Sequence, residues 1–295
     1  MEAIWQWGLD FIHTVQLVHG PALDAVFKGV TFLGNEEFFL LLVPLLFWCV
    51  DFAVGARLAV VFLLSTYVNV VVKEIFAHPR PFELDPTVKL CDAEGYDLPS
   101  GHSQSAVVVW GYLATVFRKT WAWVVAIVLV VLIGFSRVYL GVHFPSSVLA
   151  GWTLGGVLLA VYLALGPRIE AWLRDAGLIA QLALAVVVPL VLLALCPTKD
   201  TSSSMAAMLG MGVGFVLARR VTPFSARGPL WQRAVRLLIG VSVLAALYVG
   251  LKLIFPAEGE PLYATMRVLR YALVGLWGAL GAPWLFRRLR LASSG

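Results

Sequence analysis

Three cations and two histidines stand at spacings that suit phosphoryl chemistry: Lys73, Arg80, His102, Arg137 and His143. Arg80 follows Lys73 by seven residues, a step that returns almost to the same helix face. Pro79 and Pro81 end a helix there, because proline cannot donate to the helical ladder. Pro99-Ser100-Gly101-His102 has the form of a helix start, where unsatisfied N–H groups and the dipole attract an anion. Gly101 lets the backbone come close, Ser100 offers a hydroxyl, and His102 is of the type that titrates near neutrality. Ser136-Arg137 and His143 form a third group, just before Pro145, a residue suited to the first turn of a helix. Cations against charge and amides against oxygens are what a tetrahedral oxyanion requires. A phosphoryl group fits this inventory best.

The elements that must hold these groups are membrane helices. Hydrophobic residues make up 60% of the 295 and charged residues 13%, about half the roughly 25% that covers a soluble domain. That excludes an ordinary cytosolic enzyme, a disordered chain and a disulfide scaffold. The net charge of +5 does not indicate nucleic acid, because the basic residues recur between apolar runs and form no groove-sized patch. At about 20 apolar residues per crossing, nine spans are expected, over 36–51, 56–77, 103–117, 121–139, 146–166, 177–195, 204–218, 234–254 and 264–286. Residues 1–30 mix Trp5, Trp7 and Phe11 with Asp10, His13 and His19 and read as an interfacial helix. The fold class expected is all-α, a polytopic helix bundle.

Arg57, Arg118-Lys119, Arg168 with Arg174, the group Arg219 to Arg233 and the tail Arg287, Arg288 and Arg290 fall on alternate connections. The positive-inside bias makes that side cytoplasmic, with the N-terminus outside and the C-terminus inside. The acidic connection 78–102, which carries Glu83, Asp85, Asp92, Glu94 and Asp97, then faces out, and so do all three polar groups. The sharpest internal division falls near Gly166-Pro167. Gly210, Gly212 and Gly214 read as a helix-packing face.

The ordered set Lys73-x6-Arg80-Pro81, Pro99-Ser100-Gly101-His102 and Ser136-Arg137-x5-His143 resembles the three-part signature of the type 2 phosphatidic acid phosphatase (PAP2) superfamily, in its integral-membrane branch. The resemblance implies a six-helix phosphatase core over 31–195, with additional transmembrane helices over 196–295. It implies that Lys73, Arg80, Ser100, Gly101 and Arg137 bind phosphate. His143 would be the nucleophile, through a phosphohistidine, and His102 would protonate the leaving oxygen. No metal and no cofactor are implied. The expected partners are a phosphorylated lipid substrate and membrane lipids, in a bacterial inner membrane or an ER-type membrane with the site facing periplasm or lumen. The nine-span layout also resembles glucose-6-phosphatase, so a sugar phosphate stays open as substrate, and so does a binding or transport protein without turnover.

One position departs from the signature. The family's third motif usually ends with Asp four residues after the nucleophilic His; here that residue is Ser147, and the glucose-6-phosphatase branch lacks the Asp as well. A carboxylate orients such an imidazole and stabilises its cation, as in serine-protease triads. Three readings stay open: an engineered substitution, a natural variant whose His143 uses another acceptor, or a protein that has left catalysis behind.

Overall fold

The computed structural model describes residues 2–292. Among the described residues there are helices and no β-strand: α1 (Glu2–Gln16), α2 (Pro21–Phe32), α3 (Glu36–Leu45), α4 (Phe52–Phe76), α5 (Pro81–Leu84), α6 (Gly101–Phe117), α7 (Thr120–Tyr139), α8 (Pro145–Asp175), α9 (Leu178–Leu195), α10 (Lys199–Val221), α11 (Leu230–Ile254), α12 (Tyr263–Leu276) and α13 (Ala282–Arg288). Seven helical segments are long and apolar enough to cross a membrane, or eight if Pro21–Phe32 and Glu36–Val50, bent by 48°, form one broken span. The expected count of nine differs chiefly at α6. Its 17 residues rise about 25 Å, less than the roughly 30 Å of a hydrocarbon core. Ile179, Leu253 and Ile254 are 84%, 80% and 78% exposed. In water each such side chain would forgo about 1.5–3 kcal/mol of burial, so these faces belong against lipid. The chain is an integral, multi-pass membrane protein.

Two compact units divide the chain: residues up to Phe39 with Val68–Leu165, and Leu40–Tyr67 with Gly166 onward. In the first, α8 comes close to α6 through glycines. A Cβ on Gly151 would fall 2.5 Å from Ser100 O, and one on Gly155 2.7 Å from Gln104 O. That contact fixes the start of α6 beside the start of α8. Residues 1–30 form two helices where a single interfacial one was expected, parted before Pro21, and α1 packs on this unit. The buried Gln16 donates from Nε2 to Val88 O and Tyr139 O, both at 2.8 Å. Ile12 joins Val88, Val138, Phe144 and Val148 in one apolar cluster.

The second unit is built on small residues at helix contacts, the usual device where lipid removes the hydrophobic drive for association. A Cβ on Gly210 would meet Ala272 O at 1.8 Å, and one on Gly275 would meet Ala207 O at 2.3 Å. Gly210 of α10 therefore packs against α12, whereas Gly212 faces Ala185 of α9 and Gly214 faces Ala279 beyond the end of α12. Arg236, fully buried, donates to the carbonyls of Ser225, Ala226 and Arg227 and ties the loop before α11 to that helix.

Candidate active site

The turn between α7 and α8 sets His143. After Tyr139 the chain reverses through Gly141 at φ +70°, a conformation open to glycine at no steric cost. Any Cβ there would collide with Val88 O at 1.8 Å. The N–H groups of Val142 and His143 both return to Arg137 O, at 3.1 and 3.3 Å. Pro145 then opens α8. This short reversal places the His143 imidazole and the Arg137 side chain in one buried volume, 1% and 5% exposed.

The approach from α4 brings the other cations. Arg80, also buried, donates from Nε to Gly95 O (2.6 Å), from Nη2 to Glu94 O (2.5 Å) and from Nη1 to Val142 O (2.7 Å). Lys73 Nζ donates to Tyr96 O at 2.7 Å. These bonds clamp the loop 94–96 onto the site, and the N–H of Asp97, the next residue, donates to His78 O. The clamp delivers the Asp97 carboxylate to the far side of His143.

His143 is held at both nitrogens. Arg80 Nη1 lies 3.3 Å from His143 Nε2, and His143 Nδ1 lies 2.7 Å from Asp97 Oδ1. A guanidinium has donors only, so Nε2 must carry the lone pair and Nδ1 the proton, donated to Asp97. Burial, followed by the charges of Arg80, Lys73 and Arg137, holds His143 well below the ordinary histidine range. It is a neutral imidazole with its lone-pair nitrogen, Nε2, facing a guanidinium.

Asp97 accepts three bonds: from His143, from the Phe144 N–H at 3.3 Å, and from the Ser147 hydroxyl. Burial pushes its carboxyl up to about 7, against the pull of Ser147, Arg80 and the Phe144 amide. Ser147 therefore reaches the histidine through Asp97 rather than directly.

The remaining predicted residues gather in the same place. Ser100, fully buried, caps α6: its Oγ accepts from the Ser103 hydroxyl at 3.0 Å, and its N–H donates to Ser147 O at 2.9 Å. Gly101 and His102 open the helix, so their N–H groups have no intrahelical partner. A Cβ on Gly101 would lie 3.2 Å from Asn69 Oδ1. Asn69 itself donates to Gln104 Oε1 at 2.7 Å beneath that turn. Arg137 Nη1 donates to Thr31 Oγ1 at 2.7 Å, whereas its buried Nε has no partner in the protein. An unpaired buried donor is costly, and an oxyanion would satisfy it. His102 Nε2 lies 2.8 Å from Asn35 Oδ1.

Asp97, Thr31 and Asn35 are the residues that sequence reasoning did not place at the site. Asp97 counted only among the acidic residues of its connection. A carboxylate three residues before Ser100, in a chain whose third motif lacks one, was the available signal. Elsewhere, Arg267 bonds Ser203 Oγ and Lys199 O, and Arg270 stacks on Tyr248 and Tyr271.

The fold and this cluster define a polytopic membrane protein in which three cations gather around two imidazoles. Residues 54–170 match the PAP2 superfamily, and 202–294 match the PAP2 superfamily phosphatase transmembrane extension. The chain is similar to phosphatidylglycerophosphatase B of Bacillus subtilis, 34% identical over 51% of this chain and 77% of that one. It is also similar to the lipid phosphate phosphatase delta of Arabidopsis thaliana, 25% identical over 57% of this chain and 44% of that one. Among solved structures it resembles the transmembrane PAP2-type phosphatidylglycerolphosphate phosphatase of Bacillus subtilis, with TM-score 0.50 and 30% identity, over 57% of this chain and 89% of that one. The chain belongs to the PAP2 superfamily. It spans less than half the length of the Arabidopsis relative.

Proposed function

We propose that this protein is a membrane phosphatase that hydrolyses a lipid phosphate, either a phosphomonoester or the terminal phosphate of a diphosphate, through a phosphohistidine on His143. The observation that carries the reading is the orientation of that imidazole. Its Nε2 lone pair faces Arg80 Nη1 at 3.3 Å while Asp97 holds the opposite nitrogen.

The reaction divides into two displacements. The Nε2 lone pair of His143 attacks phosphorus and forms a P–N bond. The ester P–O bond breaks, its electron pair stays on the alcohol oxygen, and His102 supplies that oxygen's proton. Arg80, Lys73, Arg137 and the N-terminal amides of α6 neutralise the equatorial oxygens, the electrostatic work that dominates phosphoryl transfer. Asp97 offsets the positive charge that develops on the ring. Water then attacks phosphorus, giving a proton to His102. The P–N bond breaks back onto Nε2, and inorganic phosphate leaves.

A lipid substrate is supported by the names of the relatives, which are lipid phosphatases. The alternation of basic connections supports an outer-facing site with the N-terminus outside. The Asp97–His143 contact favours turnover over a binding or transport role without chemistry. Phosphate release from micellar phosphatidylglycerophosphate, phosphatidate, sphingosine phosphate, polyprenyl diphosphate and glucose 6-phosphate tests the reading. Release from at least one lipid, abolished by His143→Ala, is expected. No release from any lipid, or release undiminished in His143→Ala, would overturn it.

A further inference from the structure

We propose that Asn35, at the corner between α2 and α3, is a positioning residue for His102: its neutral amide fixes the tautomer of the leaving-group acid and keeps that acid's proton easy to give up. The inference rests on the phosphatase reading and adds to it a determinant of leaving-group range.

Both site histidines have one ring nitrogen tied to an acceptor, and the acceptors differ in charge. Asp97 Oδ1 takes the His143 bond at 2.7 Å, and Asn35 Oδ1 takes the His102 bond at 2.8 Å. An amide oxygen only accepts, so His102 Nε2 carries a fixed proton, and Nδ1 is left as the nitrogen that exchanges the mobile one. A carboxylate partner stabilises imidazolium and suits a nucleophile that must become cationic. An amide gives the same geometry without charge and suits a group that must release its proton. Two like groups in unlike surroundings are how one site separates its roles.

The corner is pressed onto the imidazole. A Cβ on Gly34 would stand 2.8 Å from His102 Cδ2 and 3.1 Å from Ile133 Cγ2. Thr31, one turn earlier, receives Arg137 Nη1 at 2.7 Å. The charged groups facing His102 are Arg137 from α7, Lys73 from α4 and Arg80 from the start of α5, with His143 from the α7–α8 turn. All three cations already favour proton release, and the amide leaves that bias in place. Residues 31–35 lie outside the 54–170 stretch that matches the family. Lys73, Arg80, Arg137 and both histidines lie within it. The phosphate cage thus comes from the matched core, and the partner of the acid comes from the segment before it.

The test compares two esters in the full chain in detergent micelles: dodecyl phosphate, whose alkoxide must be protonated, and p-nitrophenyl phosphate, whose phenolate leaves unaided. For Asn35→Ala, kcat/KM for dodecyl phosphate should fall about 10²-fold or more, while that for p-nitrophenyl phosphate stays within about threefold. For Asn35→Asp, which keeps the side chain's shape, the alkaline limb with dodecyl phosphate should move up by about one unit or more. Equal losses on both esters, no loss on either, or an unmoved alkaline limb in Asn35→Asp would overturn the assignment while the phosphatase reading stands. Wild-type protein inactive on both esters, or His143→Ala as active as wild type, would overturn the phosphatase reading and this inference with it.

Discussion

His143 Nδ1 and Asp97 Oδ1 lie 2.7 Å apart, across 46 residues of chain, and Ser147 stands where the resemblance implied a carboxylate. Ser147 donates its hydroxyl to the other oxygen of Asp97. The carboxylate beside the histidine is thus present, supplied by a different segment, and the serine at the motif position anchors it. Of the three readings of Ser147, this geometry favours the variant whose histidine uses another acceptor.

That arrangement predicts the outcome of an exchange. Asp97→Ser should lower kcat about 10³- to 10⁴-fold, on the precedent of removing the triad carboxylate. Ser147→Asp alone sets two carboxylates against one imidazole, where like charges resist joint ionisation, and should also be impaired. Asp97→Ser combined with Ser147→Asp should recover at least about tenfold over Asp97→Ser, a coupling of about 1.4 kcal/mol. Phosphate-release rates for the four proteins check this. Strictly additive losses would count against a shared position for the two side chains.

The same contact sets the acid limb of the pH profile. The Asp97 carboxyl is raised to about 7 by burial, so it is ionised above that pH and takes up a proton as pH falls through it. The carboxylate is the active form, and kcat/KM should therefore drop below about pH 7. In Ser147→Ala the loss of the hydroxyl removes a downward pull on Asp97, and the limb should move to higher pH. In Asp97→Asn it should vanish at a lower plateau. A limb unchanged in both variants would assign it to another group.

Arg137 offers a buried Nε with no protein partner, and Thr31 takes one of its other donors. Arg137→Lys keeps the charge but cannot reproduce the fork. It should lower kcat about 10²- to 10³-fold, the usual loss for one oxyanion donor, and weaken vanadate inhibition in parallel. Full activity with unchanged vanadate affinity would remove Arg137 from the phosphate cage.

Stability of the second unit rests on close helix contact. Gly210→Leu must displace Ala272 O, only 1.8 Å from a Cβ, at a cost of about 1–3 kcal/mol. Gly156→Ala meets nothing within 4 Å and gains helix propensity of up to about 1 kcal/mol. Thermal unfolding in one detergent should show a lower midpoint for the first variant and an unchanged or higher one for the second. The reverse order would contradict the packing described for α10 and α12.

The sequence carried the cage better than its supports, for a physical reason. Lys73, Arg80, His102, Arg137 and His143 sit at short fixed spacings around Pro81, Gly101 and Pro145, where local backbone geometry aims side chains predictably. Asp97 and Asn35 reach their histidines across 46 and 67 residues, a juxtaposition that depends on how helices pack. The alternating glycines of α10 were legible as a packing face because small residues at helical spacing have few other uses in a membrane. The segment 1–30 was less so. Its scattered polar residues suggested one helix lying in an interface, whereas Gly20-Pro21 breaks it, and the buried Gln16 spends its amide on Val88 and Tyr139. The structure has seven segments long and apolar enough to span, or eight with the bent pair, against the nine expected, and α6, at 17 residues, is the helix outside that set.

Everything proposed for this site depends on transfer of the phosphoryl group to His143 Nε2 beside Asp97. Rapid mixing with lipid carrying a radiolabelled phosphate, followed by denaturing quench at alkaline pH and peptide mapping, addresses it directly. An acid-labile, alkali-stable label on His143 is predicted, forming within one turnover and lost in His143→Ala. Turnover without label on His143, or label elsewhere that keeps pace with turnover, would contradict the account.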